Sequence, residues 1–349
     1  MRCPALVLPV LLLPFAGACS KPADEALSES QRPKVTLAST LRDEALVEAS
    51  GLARSRRVDG VLWVINDGGS APSLHAVDHG GGSRGRLDID NAENLDWEDL
   101  ASFELDGKPY LLAADIGDND AQRDHLTLYI VEEPVVMEHI VVEHIVEEPI
   151  FDEPVVAEPV VAKPVPGRIN GNAGQDYAWR IRFRYPGGPR DAESVAVDAA
   201  GETVLVLSKR DLPPVLYSMP LRPPVSGADD IVTATRLGPV TSLPSPDKSD
   251  VENAPVTEDW HWQPTALDIW PDGTSAAILT YRAVYVYERA TGESWPAALN
   301  AEPRQVVGLG NIPNAEAVTF GDTADTLFVT IENRRPPLIR IDTSGEFPQ

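Results

Sequence analysis

The chain has 349 residues, a formal net charge of −25 and 43% hydrophobic residues. That charge opposes the phosphate-driven association on which nucleic-acid binding depends, so nucleic acid is not an expected partner, and a cation or plain solubility suits the field better. With 25 glycines and 32 prolines the composition favours many turns over long helices, and its two cysteines, Cys3 and Cys19, lie too close to the N-terminus to form a disulfide framework.

Residues 1–18 have the pattern of a signal peptide: Arg2 precedes an apolar run at 5–13 that is too short to span a bilayer, and small residues follow. Phe15-Ala16-Gly17-Ala18-Cys19 resembles the lipobox of bacterial lipoproteins, with Ala16 where leucine is usual. The resemblance implies cleavage before Cys19, its lipidation, and export to the cell envelope, at the outer membrane in a host with two membranes. Residues 19–33 are polar and serve as a tether. No other segment has the apolar length of a transmembrane helix, so the lipid is the expected membrane attachment of a monomer.

From 34 to 345 one pattern recurs five times, with copies starting at 49–53, 97–101, 192–196, 264–268 and 315–319. Each start leads through a turn, such as Asp59-Gly60 or Asp272-Gly273, into a second apolar run at 61–65, 110–114, 204–207, 276–279 or 327–331. These runs suit strands covered on both faces. Third strands follow at 74–77, 126–129, 215–217, 284–287 and 338–341, and a further strand precedes each start at 35–38, 86–89, 179–183, 234–237 and 305–308. Four strands in each of five copies predict an all-β, five-bladed β-propeller, closed by the N-terminal strand joining the last blade. A six-bladed alternative would place a degenerate copy within 241–263.

Two stretches interrupt the pattern. Residues 131–168 are a Val/Glu/Pro-rich insert in which Glu-Pro-Val-Val recurs at Glu133, Glu153 and Glu158. Its prolines predict an extended arm between the second and third blades, with His139 and His144 either as solvated repeat residues or holding a metal. The connection at 241–263 carries Trp260-His261-Trp262 beside Glu258 and Asp259, as a lid over a pocket or a cap on a blade edge.

The innermost strand of a propeller blade starts at the central channel, so the second residues of the five starts converge on one axis: Ser50, Glu98, Glu193, Thr265 and Glu316. Three carboxylates in a narrow channel repel one another unless they protonate or bind a cation, and an all-oxygen shell suits Ca²⁺. The competing reading is a set of strand-start polar groups bonded to neighbouring backbone. The order Ser, Glu, Glu, Thr, Glu resembles the channel ligands of the calcium-activated nucleotidases, the apyrase group of five-bladed propellers, whose order is Ser, Glu, Glu, Ser, Glu. That resemblance implies Ca²⁺ more than it implies nucleotide hydrolysis. The chain also resembles a widespread class of bacterial propeller proteins through 63–70, 96–100 and 115–119, which implies the fold and no activity.

A second ring ends the second strands. Sixteen residues separate Ser50 from Asn66, Glu193 from Lys209, Thr265 from Tyr281 and Glu316 from Glu332, and seventeen separate Glu98 from Asp115. Asn66, Asp67, Asp115 and Glu332 make one side anionic, while Lys209, Arg210, Tyr281, Arg282 and Arg334 make the other cationic. Carboxylates, a metal and arginines together suit a small phosphorylated or carboxylated ligand. Hydrolysis would use Asp67 or Asp115 to orient water, with Ca²⁺ and Arg210 or Arg282 taking the developing charge. Two readings stand: a Ca²⁺-dependent phosphohydrolase, or a non-catalytic binding or scaffolding lipoprotein in which the ion is structural. A salt-bridge network between blades is the bland account of the second ring.

Overall fold

Apolar runs of about six residues, each closed by a tight turn, pair into hairpins, and the hairpins widen into five small sheets. A computed structural model describes residues 33–135, 172–223, 230–245, 262–310 and 312–344. The first blade contains β2 (Ala49–Arg54), β3 (Val61–Asn66), β4 (Ser73–Asp78) and β5 (Ser83–Asp90), innermost strand first. The second contains β6 (Trp97–Leu105), β7 (Lys108–Asp115), β8 (Leu126–Glu132) and β10 (Trp179–Arg184). The third is β11 (Ala192–Asp198), β12 (Thr203–Ser208), β13 (Val215–Pro220) and β15 (Thr235–Pro239). The fourth is β16 (Pro264–Ile269), β17 (Ser275–Thr280), β18 (Ala283–Glu288) and β19 (Gln305–Gly308). The fifth is β20 (Ala315–Phe320), β21 (Thr326–Ile331) and β22 (Pro337–Asp342), completed by β1 (Lys34–Thr40).

Innermost strands touch in the cyclic order β2, β6, β11, β16, β20 and back to β2, so the protein is a five-bladed β-propeller. Five closes the ring, and the six-bladed alternative is set aside. β1 runs antiparallel to β22, with Leu37 opposite Ile339, so the first strand clasps the last blade as the repeat pattern predicts.

The core is divided between the blades. Five apolar clusters fill the five inter-blade interfaces, anchored by Trp63 and Trp97 between blades one and two, Phe103 and Tyr217 next, then Tyr287, Phe320 and finally Phe328. The second strands are buried along almost their whole length because both faces meet a neighbouring sheet.

The insert sits differently from expectation. β8 and β10 pair directly, Ile130 opposite Trp179, so the insert interrupts the second blade instead of linking the second to the third. On its return the chain first adds β9 (Asn172–Asp176), parallel to β5 at the edge of the first blade; β14 (Ile231–Thr233) extends the second blade in the same way along β10. Glu133, the first glutamate of the Glu-Pro-Val-Val repeats, is buried, and its carboxylate accepts hydrogen bonds from Trp63 Nε1 (2.9 Å), the Arg56 amide (2.9 Å) and the Ser55 hydroxyl. It locks the seam between blades one and two. Cys19, His139, His144, Glu258, Asp259, Trp260 and His261 lie outside the described residues. Among the described residues no helix is long and apolar enough to cross a membrane, and the one α-helix, α1 (Trp295–Ala298), is a single turn.

Candidate ligand site at the axial mouth

The axial side chains share one local device. In every innermost pair the register shifts at the same point: Ala49 faces Asn66 and Gly51 faces Ile65, leaving Ser50 without a partner on β3. Glu98, Glu193, Thr265 and Glu316 are skipped in the same manner. A β-bulge re-aims the extra residue and releases it from the ladder, so all five residues expected from the repeat leave their sheets at equivalent positions. Close approach of the inner strands depends on Gly51, where a Cβ would lie 2.7 Å from the Leu100 backbone nitrogen.

At this end a cavity of about 380 Å³ is lined by Ser50, Asp67, Glu98, Asn119, Glu193, Lys209, Arg210, Tyr281, Glu316 and Glu332. Four of the five bulge residues therefore meet there. Thr265 is not among the lining residues; its hydroxyl donates to the Ala315 carbonyl at 2.8 Å. Ser50 makes the same bond to Trp97 O at 2.9 Å, so for these two hydroxyls the backbone-tie reading describes the geometry. Glu193 carries an ion pair with Lys209, both side chains buried. Glu98, 8% exposed, accepts no hydrogen bond from any described residue.

Three carboxyls at the mouth, Asp67, Asp96 and Glu98, are held above their ordinary range. Burial raises the Glu98 carboxyl well above it, and Glu193, Asp67 and Asp96 add repulsion. Burial likewise raises Asp67, and Asp96 is pushed up to about 6 by burial with Asp67 beside it. Burial works against the Lys209 ammonium, yet the Glu193 charge and the Tyr281 hydroxyl leave it more basic than an ordinary lysine; its nitrogen lies 5.3 Å from the Tyr281 ring centroid.

The second ring is only partly at the mouth. In the ladder Asn66 and Asp115 sit opposite Ala49 and Trp97, whereas Lys209, Tyr281 and Glu332 lie one residue beyond the residues that play that part in their blades. The first hairpin carries one additional residue and the second two, so Asp67 is the blade-one equivalent and Ile116 the blade-two one. Asn66 instead holds the backbone of Val47, Glu48 and Ala45. Asp115 does not line the cavity: it accepts from the Asp96 amide (3.0 Å) and pairs with Arg123 (2.8 Å). Arg282 and Arg334 are exposed and also outside the lining. Arg210 lines it while donating to Asp191 (2.6 Å) and to Asn119, so part of the salt-bridge network weighed as an alternative is present.

Sequence reasoning missed three features. Asp99, fully buried below the mouth, accepts hydrogen bonds from the amides of Val195 (2.8 Å) and Leu267 (3.2 Å), tying blades two, three and four together. Asp96 was not singled out, although the Asp96-Trp97-Glu98 run contains it. Asn119 reaches the cavity from the loop after β7.

No family model matches the chain, and no curated protein matches its sequence. Among solved structures it is similar to a nidogen/laminin complex, at 12% identity over 86% of this chain and 87% of that chain with a TM-score of 0.40.

Proposed function

We propose that this protein is an exported, lipid-anchored propeller that binds a small phosphorylated or carboxylated ligand at its axial mouth, assisted by a divalent cation for which Ca²⁺ is the best match. The observation that carries the reading is the cavity's mixed charge: Asp67, Glu98, Glu193, Glu316 and Glu332 line it together with Lys209, Arg210 and Tyr281, and of the acids Glu193 is the one paired with Lys209. A cation relieves the acids, and guanidinium and ammonium groups attract the anionic ligand. The leader and the Cys19 lipobox support export and anchoring. Hydrolysis is the second reading, favoured by Asp67, a cavity-lining carboxyl raised by burial toward the range useful for accepting a proton from water.

Calorimetry on the mature chain with pyrophosphate, a nucleoside diphosphate and citrate, each with and without Ca²⁺, tests the binding. At least one of them should bind in the presence of the ion, and Arg210→Ala should weaken it by about tenfold, as expected for a lost charge-assisted contact. Silence from all three ligands with Ca²⁺ present would sink the reading. Phosphate release from the first two separates hydrolysis from capture, and a Cys19→Ser chain should leave the membrane fraction.

A further inference from the structure

Blades one and two meet at the mouth where β3 runs into Asp67 and where Asp96 and Glu98 flank Trp97 at the start of β6. Each of the three residues offers a carboxylate oxygen, and these oxygens lie within 4.8 Å of one another. Such a grouping is not unusual on an acidic surface, but here Glu98 is more than nine-tenths buried, lines the cavity and accepts no hydrogen bond among the described residues. A buried carboxylate without donors is costly unless something replaces its lost water. The carboxylate of Asp96 also accepts no hydrogen bond among the described residues, and Asp67 takes only the amide of its neighbour Gly68. Gly117 keeps space beside the group: a Cβ there would collide with the carboxylates of both Glu98 and Asp96.

The axial ring is less suited to an ion. Glu193 already has Lys209, Ser50 and Thr265 give their hydroxyl protons to backbone carbonyls, and Thr265 is outside the cavity lining. We propose that Asp67, Asp96 and Glu98 form a seat for a hard divalent cation at the seam of the first and second blades, off the axis and beside the ligand cavity. Three carboxylates and no nitrogen or sulfur donor select Ca²⁺, Mg²⁺ or Mn²⁺ over softer metals, with water or a ligand oxygen filling the remaining positions. This deepens the reading above, since the ion would stand at the wall of the same cavity.

The test is titration of the mature chain with Ca²⁺, Mg²⁺ and Mn²⁺ alone, no anionic ligand present, to about 10 mM, the upper range for weak extracellular sites. One site is expected, weakened by about tenfold or more in Asp96→Asn and in Glu98→Gln, and changed by no more than about twofold in Thr265→Val. Thermal melts without added metal check that each variant is folded, and Asp67→Asn supplies an independent ligand change if either of the others is not. Absence of binding by all three metals overturns the proposal. So does binding that survives Asp96→Asn but is lost in Glu193→Gln, because the ion would then be on the axis. Metal binding with this pattern but no anion binding would retain the seat while removing the ligand reading, so the two fail separately.

Discussion

Lys209 and Glu193 show how much a single pair decides at the mouth. Both are buried, so breaking the pair leaves an uncompensated charge in a cavity that is already anionic. Lys209→Met should lower stability by about 3 kcal/mol in urea unfolding, and adding Glu193→Gln should restore a large part of it, because the second change removes the stranded charge. No recovery in the double variant would show that packing around Lys209 matters more than its charge. The constant spacing of sixteen residues found this pair in the sequence because β11 and β12 have the same hairpin length as the fourth and fifth blades. In blade one the spacing ends on Asn66, and of the Asn66-Asp67 pair it is Asp67 that lines the cavity, because spacing counts residues and not ladder partners.

At the scale of the strand, Gly51 and the bulge beside it set how closely β2 approaches β6. The strand and turn periodicities recovered every hairpin and the closing strand, since buried apolar runs and Asp-Gly turns are local signals. The bulges were invisible, because an unpaired residue in an innermost strand leaves no mark in an apolar-polar pattern. Asp99 was equally hidden, being one more aspartate until the fold brings amides from two other blades to it. Gly51→Ala should cost about 1–3 kcal/mol, since its Cβ would press on the backbone of Asp99 and Leu100 as well as on the Ile65 side chain, and the backbone contact cannot be relieved by a rotamer change. A melting curve unchanged from the parent would mean that the first two blades can separate without loss.

For the molecule as a whole, acidity and fold oppose each other at the mouth. A carboxyl raised on folding binds a proton more tightly in the folded chain than in the unfolded one, so it stabilises at low pH and that contribution is lost as pH rises through the folded value. For Asp96 the window runs from the ordinary value near 4 to about 6. Asp43 acts in the opposite sense: its hydrogen bond to His75 outweighs burial and lowers it to about 2, and the stability it supplies is lost only as pH falls from about 4. Metal-free protein should therefore gain in melting temperature as pH falls from 7 to about 5, with the gain smaller in Asp96→Asn. A flat or reversed profile across that interval would show that the mouth carboxylates do not govern it.

The five equivalent bulges also separate architecture from chemistry. Since Ser50, Glu98, Glu193, Thr265 and Glu316 are skipped in the backbone ladder of their hairpins, replacing a side chain there leaves the neighbouring rungs in register. The backbone of each hairpin therefore does not depend on which side chain stands at the bulge, and the four of these positions that line the cavity differ in chemistry, one hydroxyl and three carboxylates, on the same frame.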